Sequence, residues 1–187
     1  MPPEPWLTDN QDLLPGSGQA LDVACGRGRH ALWLAAKGLV TVAIDRDPDA
    51  VRFIENEARR LGVPVTAAVI DLESEDVGGL EGSPLPSQGT FDVIVVVHYL
   101  HRPLFPALRA ALRPGGVLVY ETFTKAQAAR GRPSSPAFLL DSGELATLVA
   151  PLEILRAREG HFGDRWVSSV IARSSERGCP AERDTPS

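Results

Sequence analysis

The most constraining feature of this chain is one stretch in which an apolar run, a glycine turn, a helical pattern, a second apolar run and an acid follow in order. Ala20 to Ala24 is apolar apart from Asp22, and Gly26-Arg27-Gly28 breaks it. Arg29 to Lys37 then carries Ala31, Leu32, Leu34, Ala35 and Ala36 at helical spacing, with Gly38 to stop it. Val40 to Ile44 is a β-branched run ending at Asp45, 19 positions beyond Gly26. Glycines between a strand and a helix let the backbone approach a ligand closely. A carboxylate closing the second strand can accept both hydroxyls of a ribose. The layout therefore predicts parallel strands around a nucleoside-type ligand.

The alternation continues. Asp47 is the expected cap and Pro48 the first position of a helix reaching about Leu61, where Gly62 ends it. Val63 to Ile70 reads as a third strand closed by Asp71-Leu72, and residues 73–90 as a surface loop. Phe91 to Val97 is a strand apolar enough for burial on both faces. Pro103 to Leu112 is a predicted helix, 114–116 a turn, Val117 to Tyr120 a strand and 124–136 a polar loop. Asp141 is the expected cap of a helix through Val149. Glu153 to Arg158 and Trp166 to Ala172 are the last strands, joined by 159–164 and so antiparallel. Trp6, Leu13 and Leu14 predict one short amphipathic helix covering the sheet edge. The pattern is a Rossmann-like, doubly wound α/β sheet of seven strands, mostly parallel with an antiparallel last strand. One domain over 1–173 and a disordered tail over 174–187 are expected.

Composition excludes some partners. The 187 residues carry a net charge of -5 and a pI near 5.4, without the basic face that phosphate contacts require. Lys125, Arg130 and Arg132 read as a solvated loop or as a lid over an acceptor. Cys25 and Cys179 give no disulfide framework, which fits a reducing cytoplasm. The opening residues lack a signal-peptide pattern. Apolar runs such as Val93 to Val97 fall far short of the roughly 20 residues of a membrane span. Expected partners are a small-molecule substrate, no nucleic acid and no membrane, with the chain a monomer or homodimer.

A dinucleotide and an adenosyl sulfonium can both use this turn. Asp22 inside the first strand is costly to bury unless paired, and its charge would suit a ligand carrying an ammonium and a sulfonium. Asp71 can accept from an adenine amino group while Leu72 packs on the ring. The closing hairpin is foreign to simple dinucleotide folds. The plainer readings are that Asp22 caps the turn, Asp45 caps the next one and Asp71 is a solvated loop acid.

The set Leu21-Asp22-Val23-Ala24-Cys25-Gly26-Arg27-Gly28, Asp45, Asp71-Leu72, Phe91-Asp92-Val93-Ile94 and Arg113-Pro114-Gly115-Gly116 resembles the class I S-adenosyl-methionine-dependent methyltransferases. The segments 99–104, 120–123, 131–133 and 138–145 resemble a bacterial subgroup related to tellurite-resistance methyltransferases. The resemblance implies S-adenosyl-methionine as cofactor, held by Asp22, Ala24, Gly26, Gly28, Asp45, Arg46, Asp71, Leu72 and His98. It does not name an acceptor.

Methyl transfer from a sulfonium is an in-line displacement with an activated leaving group. The protein must chiefly align the acceptor and exclude water, so no fixed triad is expected. The candidates are Tyr99, His101, Arg102 and Glu121, with His98 and Thr122 beside them. His101 is a candidate base or a helix-start residue. Arg102 is a candidate grip on an anionic acceptor or the partner of a salt bridge to Glu121. Tyr99 stacks over the cofactor or packs. His30 is read as structural or as a cofactor edge, and Cys25 as a turn-filler. His98 and His101 lack further ligand partners, so no metal is expected. The rival readings are a cofactor-binding protein without catalysis and an NAD-dependent oxidoreductase.

Overall fold

A computed structural model describes residues 2–73, 85 and 89–175. Its seven-stranded sheet has the order β3-β2-β1-β4-β5-β7-β6, formed by β1 (Gly18–Val23), β2 (Leu39–Asp45), β3 (Val65–Val69), β4 (Phe91–Val97), β5 (Leu112–Phe123), β6 (Glu153–Phe162) and β7 (Arg165–Arg173). The first five strands pair in parallel. β7 runs antiparallel to both β5 and β6. This is the expected topology, with the reversal at β1, where β2 and β4 lie on either side.

Period-two alternation splits the core between the two faces. On β4, Ile94 and Val96 join the cluster under α4 (Phe105–Ala111) and α5 (Glu144–Val149). Val93, Val95 and Val97 join the opposite cluster, under α1 (Pro5–Asp9) and α2 (Arg29–Ala36). Ile54 of α3 (Pro48–Leu61) packs with Ala31 and Ala43 on that same side. Asp47 caps α3, its side chain accepting from the Asp49 N–H at 2.9 Å. Gly62 closes it in the left-handed conformation.

Five expectations are corrected. The α1 segment covers a face of the sheet and not its edge: Trp6 and Leu7 pack among Val93, Val95, Val119 and Ile171. The hairpin strands are longer than read, and only Gly163 and Asp164 separate them. The sequence 159–162 is polar because β6 is an edge strand with most of its residues exposed. β5 likewise continues to Phe123, so Glu121 and Thr122 lie inside it. Asp141 is not a helix cap: Gly143 precedes α5, and Asp141 pairs with Lys125 at 2.5 Å. The predicted loop 124–136 contains a short 3-10 helix, Lys125–Ala129. The expected surface loop at 74–84 and 86–88 and the expected tail at 176–187 lie outside the described residues. Among the described residues, no helix is long and apolar enough to cross a membrane.

Candidate functional site

The glycine turn is held by the second strand's acid. Cys25 N–H donates to the Ile44 carbonyl at 3.0 Å, and Gly26 N–H donates to Asp45 Oδ2 at 2.7 Å. Asp45 Oδ1 accepts from Asp47 N–H at 2.9 Å. One carboxylate thus clamps two turns at the carboxyl ends of β1 and β2, where ligands sit in open α/β sheets. The turn's two glycines do different work. At Gly28 (φ 71°) an added Cβ would lie 2.6 Å from Ile54 Cγ1, so helix packing requires glycine. At Gly26 (φ 54°) an added Cβ would meet nothing within 4 Å. Open space there faces a cavity, which is what a ligand lying against the backbone needs.

Two cavities share Ala24 as a wall. The first, about 220 Å³, is lined by Asp45, Arg46, Ile70, Asp71, Leu72, Glu73, Tyr99 and Phe138. It offers carboxylates at two strand ends and apolar walls between them. Burial, then the Glu73 carboxylate, pushes the Tyr99 phenol up, so it stays protonated and able to donate. The second, about 460 Å³, lies over the turn and takes in Gly26, Arg29, His30 and Val97. Together they fall in the ~300–1,000 Å³ range of small-ligand sites. Both Ala24 (φ 51°) and His98 (φ 59°) hold positive φ without being glycine, the kind of backbone strain that clusters at functional sites.

Asp22 lies behind the turn and lines neither cavity. It is 1% exposed, and its Oδ2 accepts from Ala31 N–H at 2.9 Å. That bond matches the capping alternative. Its Oδ1 and His30 Nε2 are buried with no hydrogen-bond partner in the protein, and His30 is among the residues lining the second cavity. Cys25 is buried, and burial pushes its thiol far up. It cannot act as a nucleophile at neutral pH.

The acceptor candidates separate. Arg102 does not pair with Glu121. It donates to Glu144 Oε1 at 2.6 Å and Oε2 at 2.9 Å, and to the carbonyls of Ala137 and Leu139 at 3.0 Å each. All its reach goes into fastening the 136–140 segment, so it positions Phe138 and does not grip a ligand. His101 is half-buried and lines neither cavity. Arg130 and Arg132 are exposed and also line neither.

Glu121 belongs to a cluster that the sequence did not reveal. Its Oε2 accepts from Arg158 Nη2 at 3.0 Å and from Ser169 Oγ at 2.5 Å. Its Oε1 lies 4.0 Å from His98 Nε2. On the other side of His98, Glu4 Oε2 accepts from Arg29 Nη2 at 2.9 Å and Arg165 Nη1 at 3.3 Å. Arg165 Nη1 also lies 3.3 Å from His98 Nε2. A guanidinium only donates, so this assigns the lone pair to Nε2 and the ring proton to Nδ1. Glu4, His98 and Glu121 bring ligand-type atoms within 4.8 Å of one another. Three guanidiniums nevertheless face the two carboxylates, so the cluster's charge suits an anion better than a cation.

Burial, the largest influence, lowers His98 to about 4, against the opposing pull of Glu4. The unfolded chain binds that proton near pH 6.5, so it holds more protons than the folded state between these values. Stability is therefore full above pH 6.5 and falls as pH drops toward 4. Urea titrations at pH 7 and pH 5 are expected to show a loss in wild type that is smaller in His98→Gln. Equal losses in both proteins would remove His98 as the cause.

A family profile described as "Methyltransferase domain" matches residues 20–116. A ribosomal protein L11 methyltransferase of Ralstonia pickettii is 33% identical over 162 residues, covering 83% of this chain and 44% of that protein. YqeM of Bacillus subtilis, a protein also named as a methyltransferase, is 24% identical over 145 residues. The chain spans about half the length of these curated relatives, 54% and 44%. TehB of Haemophilus influenzae has the same fold, with a TM-score of 0.72 at 18% identity over 92% of this chain and 63% of that one. A methyltransferase structure from Methanosarcina mazei gives 0.70 at 20% identity over 95% and 100%. Sheet order, the clamped glycine turn, the two cavities and the matched profile place this chain in the class I S-adenosyl-methionine-dependent methyltransferase family, with S-adenosyl-methionine as its cofactor.

Proposed function

We propose that this protein transfers the methyl group of S-adenosyl-methionine to a small acceptor that arrives as an anion, such as a thiolate or an oxyanion. It works in the cytoplasm as a monomer or homodimer, without nucleic acid or membrane. The observation that carries the reading is the cluster at the ends of β4 and β5, where Arg29, Arg158 and Arg165 outnumber the carboxylates Glu4 and Glu121 around His98.

S-adenosyl-methionine supplies an activated methyl group. Asp45 would bind the ribose, and Asp71 with Leu72 the adenine, in the first cavity; Ala24 lines both cavities and Gly26 the second. An anionic acceptor held by the guanidiniums at the β4 and β5 ends would be the nucleophile for that methyl group. The sulfonium would supply the methyl carbon and keep the electron pair of its carbon–sulfur bond, while the acceptor would give up one negative charge. An acceptor already ionised needs no base. That suits His98, whose low proton affinity makes it weak at drawing a proton from an alcohol or amine. The anionic grip first sought at Arg102 moves to Arg29 and Arg165, because Arg102 is committed to Glu144.

The test is transfer of labelled methyl to thiols, carboxylates, chalcogen oxyanions, neutral amines and ribosomal proteins. Turnover is expected on anionic small molecules. Turnover confined to neutral amines or to proteins would sink the reading. Cofactor binding with no turnover on any acceptor would favour a binding protein.

A further inference from the structure

Glu4 is the only acid in the Arg29–Arg165–His98 group among the described residues that no sheet strand or loop between strands supplies. Its Oε2 is met by guanidiniums from two separate parts of the fold, Arg29 at the start of α2 and Arg165 at the start of β7, at 2.9 and 3.3 Å, with the neutral His98 ring after β4 alongside, its Nε2 at 3.8 Å. The body of the domain thus builds a carboxylate-sized pocket, and a side chain ahead of α1 fills it.

The two acid–arginine pairings differ in how exchangeable they are. Glu121 is fixed inside β5 with its side chain 2% exposed. Glu4 is held by its backbone, whose carbonyl accepts from Leu7 and Thr8 N–H, so its carboxylate can leave by side-chain rotation alone. Its partners Arg29 and Arg165 keep 22% and 37% of their side chains exposed. Arg29 also lines the second cavity, so an anion in that cavity competes with Glu4 for the same guanidinium. Asp164 touches Arg165 from outside at 3.5 Å but is 90% exposed, and water screens it.

We propose that Arg29 and Arg165, beside His98, form an oxyanion-binding site that Glu4 plugs, and that a ligand's carboxylate or similar anion displaces Glu4 on binding. The inference rests on the methyltransferase reading only for the source of that anion, which is either the acceptor or the methionine carboxylate of the cofactor. Anion binding itself requires no turnover.

The experiment titrates acetate and inorganic phosphate into wild type, Glu4→Ala, Glu4→Gln and Glu4→Ala/Arg165→Ala. It follows the His98 ring and arginine side-chain resonances by NMR. Glu4→Ala is expected to bind at least about tenfold more tightly than wild type, the scale of one freed charged hydrogen bond. Glu4→Gln keeps the shape and shows a gain in the same direction, which guards against a misfolded alanine variant. Adding Arg165→Ala abolishes the gain. Gain that persists under saturating S-adenosyl-homocysteine assigns the anion to the acceptor. Gain blocked by S-adenosyl-homocysteine but not by 5′-methylthioadenosine, which lacks the carboxylate, assigns it to the cofactor. Equal binding in wild type and both Glu4 variants, or binding that survives loss of Arg165, overturns the proposal.

Discussion

An Asp45→Ala variant is expected to bind S-adenosyl-methionine about a hundredfold more weakly than wild type or worse, measured by calorimetry. Asp45 already accepts from Gly26 and Asp47 N–H, and each carboxylate oxygen keeps a second lone pair for a ribose hydroxyl. Two charge-assisted bonds at about 1.5–3 kcal/mol each amount to roughly two to four orders of magnitude in affinity. The turn itself also loosens, because Gly26 N–H loses its acceptor. Asp45→Asn separates the two effects. The amide keeps the shape and one acceptor oxygen but turns its NH2 toward one of the two backbone N–H groups. It is expected to fall between wild type and alanine. A dissociation constant for Asp45→Ala within about threefold of wild type would falsify the ribose role. A thermal melt run alongside shows whether the turn or the whole domain failed.

What could be read from the residues alone follows the reach of the physics involved. The turn, Asp45, Asp71 and Leu72 lie at strand ends, and strand ends are fixed by local periodicity and glycine placement. The layered core was legible for the same reason: Val93 to Val97 is unbroken because both its faces are covered. Periodicity says nothing of which charged side chains meet. Glu4 and Arg165 stand 161 positions apart, and Arg102 found Glu144 across 42, where the sequence offered Glu121 as the neighbour at a strand end. Phe138 reached the first cavity because Arg102 fastens its segment, a contact no spacing rule encodes. Arg29 lay in view inside the glycine motif. Its partner Glu4 sits in a Pro-rich stretch whose only visible signal was Trp6. The polarity of 159–162 misled for the opposite reason, since an edge strand needs little apolar surface and so resembles a loop.

Glu121→Ala is expected to cost about 2–4 kcal/mol of folding stability, or roughly 5–15 °C in melting temperature for a domain of this size. Glu121 is 1% exposed, and its loss takes the acceptor from the Ser169 hydroxyl and the carboxylate from Arg158, which keeps a 3.3 Å bond from Nε to Ser169 Oγ. Removing one member of a fully buried ion pair costs about 3–5 kcal/mol, chiefly because the remaining charge has no partner. Two features pull the figure down here. The Arg158 side chain is 24% exposed, so water recovers part of its charge. Its guanidinium also lies over the rings of Trp6 and Phe162, at 4.5 and 4.2 Å, which hold a cation without a carboxylate. Desolvation still outweighs these, because neither ring supplies a hydrogen-bond acceptor. If the unpaired charge is the cost, the double variant Glu121→Ala/Arg158→Met should be more stable than Glu121→Ala alone, since it leaves no guanidinium to satisfy. A drop of under about 2 °C in Glu121→Ala would mean that the two rings and solvent suffice for Arg158. A double variant less stable than the single would instead show that Arg158 contributes through its stacking on Trp6 and Phe162 more than through its charge.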